Sequence, residues 1–145
     1  MDDKLDTILV TKYPEIFKNR YGDMQNTAMC WGFECGDGWF NIIDQMCWAI
    51  QDHIKWQNKQ RTDLLATNPH NLPVPDEVLQ VVATQVKEKF GSLRFYYSGG
   101  DDYVAGVIQM AEAMSYVTCD VCGSPGTQKQ HHGWLQTRCQ LHASG

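Results

Sequence analysis

The chain has 145 residues, a formal net charge of −5 and 43% apolar residues. That suits one domain, or one domain with a small appendage, with a core that needs no metal to hold it together. The acidic balance argues against bulk duplex binding through phosphates, which needs a basic surface, and no run approaches the 18 or so apolar residues of a membrane span.

The first residues, Met1-Asp2-Asp3-Lys4-Leu5-Asp6, are acidic and lack the apolar stretch of a signal peptide. The expected location is therefore cytoplasmic, with no membrane partner, and the six cysteines are expected as thiols or metal ligands rather than disulfides. Leu5, Ile8 and Leu9 recur at helical spacing, and Pro14 can open a second short helix carrying Ile16 and Phe17. Residues 21–38 have little periodicity and end in Cys30-Trp31-Gly32-Phe33-Glu34-Cys35-Gly36-Asp37-Gly38, a glycine-rich stretch that implies tight turns or close backbone approach. Asp37 is placed to cap the helix that follows.

Over 39–56 that helix is well marked. Trp39, Ile43, Met46, Cys47, Ile50 and Ile54 form one apolar stripe, widened by Phe40, Ile42, Trp48 and Trp56. Residues 57–76 turn polar and then carry Pro69, Pro73 and Pro75, so a loop of about twenty residues is expected there. Residues 80–97 read as a β-hairpin: Val82, Thr84 and Val86 alternate with Ala83, Gln85 and Lys87, then Phe90-Gly91-Ser92 turns into Leu93, Phe95 and Tyr97. A helix is expected from about Tyr103 to Tyr116 with Val104, Val107, Ile108, Ala111 and Met114 inward. Gly106 weakens it by about 1 kcal/mol relative to alanine and points to close packing on a neighbour.

Residues 119–142 carry the chemistry: Cys119-Asp-Val-Cys122-Gly, sixteen intervening residues, then Cys139-Gln-Leu-His142. Two ligands separated by two residues converge on one ion from a tight turn, which Gly123 permits after Cys122. Two such pairs giving three sulfurs and an imidazole predict one structural Zn2+ per chain. Two alternatives stay open: His131 or His132 could replace His142 as fourth ligand. The segment between the pairs fits a small hairpin, with Trp134 expected to cover the metal. The expected fold class is thus α+β: N-terminal helices, one β-hairpin and a following helix in a core domain over 1–117, then a zinc-ribbon or treble-clef-like module over 118–145.

Other constellations are weaker. Trp31, Glu34, Asp37 and Trp39 crowd into a possible ligand pocket, against the plainer reading of a turn packed on the central helix. Glu34 and Asp37 could act as an acid/base pair, although nothing in the sequence brings them to a nucleophile. Lys87, Lys89 and Arg94, beside Tyr96 and Tyr97, could neutralise and stack on a nucleotide or single strand, or form only a solvated hairpin face. Cys30, Cys35 and Cys47 read as core thiols.

Taken together, Trp31-Gly-Phe-Glu-Cys-Gly-Asp-Gly-Trp39, Val86-Lys-Glu-Lys-Phe-Gly-Ser-Leu-Arg-Phe95 and the Cys-Asp-Val-Cys-Gly motif with Gly-Trp-Leu-Gln-Thr-Arg-Cys139 resemble a family of small uncharacterised proteins of bacteriophages and prophages. The resemblance covers most of the chain and implies a phage accessory protein acting inside a bacterial cell, one that binds and inhibits a host protein such as a defence component. The expected function is accordingly non-enzymatic binding, with a nucleotide or single-stranded nucleic-acid binder and a small Glu34/Asp37 hydrolase as alternatives.

Overall fold

The computed structural model describes residues 1–143; the last two positions of the expected 118–145 module lie outside them. Asp2 caps the first helix, α1 (Asp3–Lys12), its carboxylate accepting the Lys4 N–H at 2.7 Å. Leu9 faces the core, but Ile8 is exposed and Asp6 is buried in its stead. Arg20 makes that tolerable: its guanidinium lies 3.0 Å from the Asp6 carboxylate and donates to the Cys30 carbonyl, the partner a buried carboxylate requires. The short helix expected after Pro14 does not form. Residues 14–21 make successive turns that still bury Ile16 and Phe17, and the Ile16 carbonyl accepts the Ala83 N–H at 2.8 Å, so this segment serves the sheet rather than a helix ladder.

The central helix, α2 (Phe40–Ala66), runs well past position 56. Its predicted stripe (Ile43, Met46, Cys47, Ile50 and Ile54) is buried, whereas Trp48 and Trp56 face outward. The expected loop over 57–76 is therefore corrected. Gln57 to Ala66 consists mostly of good helix formers, and its polar side chains grip the returning chain. Asn58 bonds both the N–H and the carbonyl of Val78, at 2.8 and 3.0 Å, and Arg61 donates to the Pro75 carbonyl at 3.0 Å. The prolines begin only after the helix ends, and residues 67–81 run back along it without regular structure.

A three-stranded sheet follows in the order β1-β2-β3. β1 (Phe33–Glu34) pairs parallel with β2 (Val82–Lys89), which pairs antiparallel with β3 (Ser92–Ser98). A bulge between Ala83 and Gln85 breaks the predicted alternation: Ala83 and Val86 point inward and Thr84 outward. Phe90 and Gly91 form the hairpin turn, both with positive φ (54° and 80°), the left-handed pair that matches strand twist.

Helix α3 (Asp102–Ser115) lies along the outer edge of β3, where the Leu93 N–H donates to Ser115 and the Phe95 N–H to Glu112, so an edge that would otherwise be open is covered. Asp101 caps α3 through the Val104 N–H at 3.0 Å and holds His53 of α2 at 2.8 Å. Burial pushes the Asp101 carboxyl up, but these two bonds outweigh it and leave its pKa below the usual carboxylate range. Val104, Ile108 and Ala111 face the core and Val107 is half-buried, while Met114, expected inward, is exposed. The tail adds a second hairpin of β4 (Thr127–His131) and β5 (Trp134–Arg138), then a turn of 3-10 helix at Gln140–His142. The fold class is α+β with a C-terminal Cys/His module. Among the described residues no helix is long and apolar enough to cross a membrane.

Candidate metal centre

The first ligand pair sits in a tight turn between α3 and β4. The Cys119 N–H donates to the Ser124 carbonyl at 2.7 Å, and the Gly123 N–H donates back to Cys119 at 2.9 Å. Gly123 holds φ at +80°, as such a reversal demands. The turn aims the backbone N–H groups of Val121 and Cys122 at the Cys119 sulfur. The second pair repeats the turn, with His142 and Leu141 N–H groups directed at the Cys139 sulfur, but there burial and the neighbouring Cys122 and Cys119 thiols win and leave the Cys139 thiol above its ordinary value. Burial pushes the Cys119 thiol up, but the N–H groups of Cys139, Cys122 and Val121 and the His142 ring outweigh it and leave it below its ordinary value. The Ser124 hydroxyl and N–H bring the Cys122 thiol down to about 7. Both shifts favour the thiolate, the form that binds a metal.

All four ligand atoms lie within 4.8 Å of one another. Cys122 Sγ is 3.7 Å from Cys139 Sγ, and His142 Nδ1 is 3.6 Å from Cys119 Sγ and 3.2 Å from Cys139 Sγ. Metal–sulfur bonds of about 2.3 Å and metal–nitrogen bonds of about 2.0 Å in a tetrahedron require edges of about 3.8 and about 3.5 Å. The cluster could hold one metal ion, and its soft donor set suits a tetrahedral, thiophilic one. It is His142 that converges on the three sulfurs. His131 and His132 stand at the far end of the β4–β5 hairpin, where His131 pairs with Trp134. Trp134, expected over the metal, is exposed at that same distal tip.

The glycine-rich stretch before α2 is the seat of this module. The Gly38 N–H donates to the Asp120 carbonyl at 3.0 Å, and the buried Trp39 indole donates to the Thr118 carbonyl at 2.9 Å. A Cβ on Gly36 would overlap the Asp120 carbonyl, and one on Gly38 the Cys119 carbonyl. On the other side, the Thr137 hydroxyl donates to the Gly91 carbonyl at 2.6 Å and Gln128 to the Phe90 carbonyl, clamping the hairpin tip of β2 and β3. Asp120 and Arg138, 3.3 Å apart, tie the two halves of the module to each other.

The remaining predicted residues separate. Trp39 is in the core and Trp31 is exposed on a turn before β1, so they line no common pocket. Asp37 does not cap α2; its carboxylate accepts the Asp2 N–H at 2.6 Å, joining the N-terminal segment to the seat. Glu34 and Asp37 do border one polar cleft of about 510 Å³, with Glu88, Asp120 and Arg138, but Glu34 accepts from Gln85 and the Cys35 thiol is pushed up to about 12 by burial, which disfavours it as a nucleophile. Lys87 and Arg94 face each other across β2 and β3, with Glu34 on the other side of Lys87. Lys89 lies beyond them, its ammonium over the Phe90 ring at 5.6 Å. Comparison of the chain with protein-family models, with curated proteins and with solved structures finds no match.

Proposed function

We propose that the protein is a zinc-stabilised, non-catalytic binding protein whose partner is another protein. The observation that carries the reading is the disposition of its tryptophans. Of the five, only Trp39 is buried; Trp31, Trp48, Trp56 and Trp134 are 63%, 57%, 60% and 74% exposed. Tryptophan is highly buried on average in folded chains and is the residue most enriched among interface anchors. Zinc is the ion that three thiolates and one imidazole at these spacings favour, and four protein ligands leave it no open position for substrate. The resemblance to phage and prophage proteins supports a partner in the cytoplasm of a bacterial host, such as a defence component.

Trp48 and Trp56 project from α2 about two turns apart. With the purified protein as bait in host lysate, the wild type is expected to retain one specific protein. The double variant Trp48→Ala/Trp56→Ala should retain at least about 30-fold less, the loss of one strong anchor. Equal recovery by both baits would overturn the reading.

The pairing of Lys87 with Arg94, beside Tyr96 on the outer sheet face, favours a second reading: a nucleotide or single-stranded nucleic-acid site. It predicts salt-dependent oligonucleotide binding that Lys87→Ala/Arg94→Ala abolishes, and binding that this variant leaves intact counts against it.

A further inference from the structure

An apolar cleft of about 690 Å³ runs between α2 and α3, floored by Ile42, Met46, Val107 and Ala111 and bordered by Met110 and Met114. The outer face of α3 continues it. Tyr103, Gly106, Met110 and Ala113 follow one another along the helix at steps of three and four, the seam spacing of paired helices, Val117 continues the row in the turn just past its end, and every one of them is exposed. Met110 is 62% exposed at the centre of that seam. Gly106 sharpens the point: glycine weakens a helix interior, yet among the described residues no atom outside the adjoining helix backbone lies within 4 Å of where its Cβ would stand. None of the described residues needs the space.

We propose that the seam is occupied by α3 of a second copy of this chain, antiparallel, with a two-fold axis passing beside Met110. The sequence is self-complementary about that point. Counting outward, Gly106 meets the second copy's position 114, a methionine; Val107 meets position 113, an alanine; Tyr103 meets position 117, a valine. Large side chains face small ones on both halves, and an isologous interface requires each such pairing twice. Charge agrees with it. The seam itself carries no charged residue, Asp102 stands at its N-terminal end, and Arg94 lies against Tyr116 at its C-terminal end. An antiparallel arrangement brings each copy's Asp102 toward the other's Arg94 end, and each helix N-terminus beside the other's C-terminus. A parallel arrangement would set like ends together. A helix of this length spans about 20 Å, so the interface falls at the small end of specific ones and dissociates at micromolar dilution.

The test is sedimentation of the purified, metal-loaded full chain from micromolar to near-millimolar concentration. The mass is expected to rise from 16.5 kDa toward twice that value. Met110→Glu, which sets two like charges beside the axis, should hold the mass at the monomer value throughout with an unchanged circular dichroism melt. Met110→Cys under mild oxidation should yield a cross-linked dimer that wild type does not give. A wild-type chain monomeric at the highest concentration, a dimer that Met110→Glu leaves intact, or a Met110→Cys chain that cross-links no more than wild type would each overturn the proposal. If Met110→Glu fails to fold, the cross-link decides.

Discussion

Gly38→Ala is expected to destabilise the protein by about 3 kcal/mol, the upper range for forcing a methyl group into a filled space. The added carbon would overlap the Cys119 carbonyl and crowd Asp120 and Gly123, all backbone and unable to swing aside. Either the metal module lifts off its seat or the turn before α2 distorts. Both break the bonds from the Gly38 N–H to Asp120 and from the Trp39 indole to Thr118. The control is Gly106→Ala, the same chemical change where nothing lies within 4 Å; there the expected effect is a gain of up to about 1 kcal/mol. Urea denaturation of the two variants beside wild type reads the contrast. Equal stabilities would show that the glycine-rich stretch is no seat.

Removal of the metal is expected to have the larger effect, confined to one region. Binding at a site of this kind contributes on the order of 10 kcal/mol to the fold around it. β4 and β5 are mostly exposed, with Thr137 the one buried residue of the pair, so little else holds them. Chelation, or Cys139→Ser, should accelerate amide exchange across 118–142 by several orders of magnitude. The amides of α2 should stay protected, since its core face is built from Ile43, Met46, Ile50 and Ile54. Acid should act in the same direction. The ligands bind as thiolates, so protons compete with the metal as pH falls through the Cys122 value of about 7 and below. Unchanged exchange in 118–142 after chelation would contradict this.

Two features of the chain are legible in its sequence, and several others are not. The ligand set is legible because a two-residue gap has one simple geometric meaning, and the core stripe of α2 because its period repeats over several turns. The purpose of Gly36 and Gly38 is not, because what they accommodate lies some eighty residues on: Trp39 and Thr118 are 79 positions apart. Such glycines look the same whether they serve a turn or a docking surface. The far end of α2 is hidden for another reason. Asn58 and Arg61 are polar, as in a loop, but they are spent on the backbone of residues 75–78. Periodicity likewise cannot separate Trp48 and Trp56 from the core, since a wide apolar stripe and a narrow one with exposed aromatics beside it share one pattern. β1, of two residues, is too short to leave any pattern at all.

Residues 119–142 are expected to close around one ion and so to fix the tail on the Gly36–Trp39 seat. Elemental analysis of protein purified without chelator measures it directly. One zinc per chain is the predicted value, falling to none in Cys119→Ser/Cys139→Ser. Wild-type protein that is folded over 118–142 and metal-free, or a double variant that still carries the ion, would contradict it.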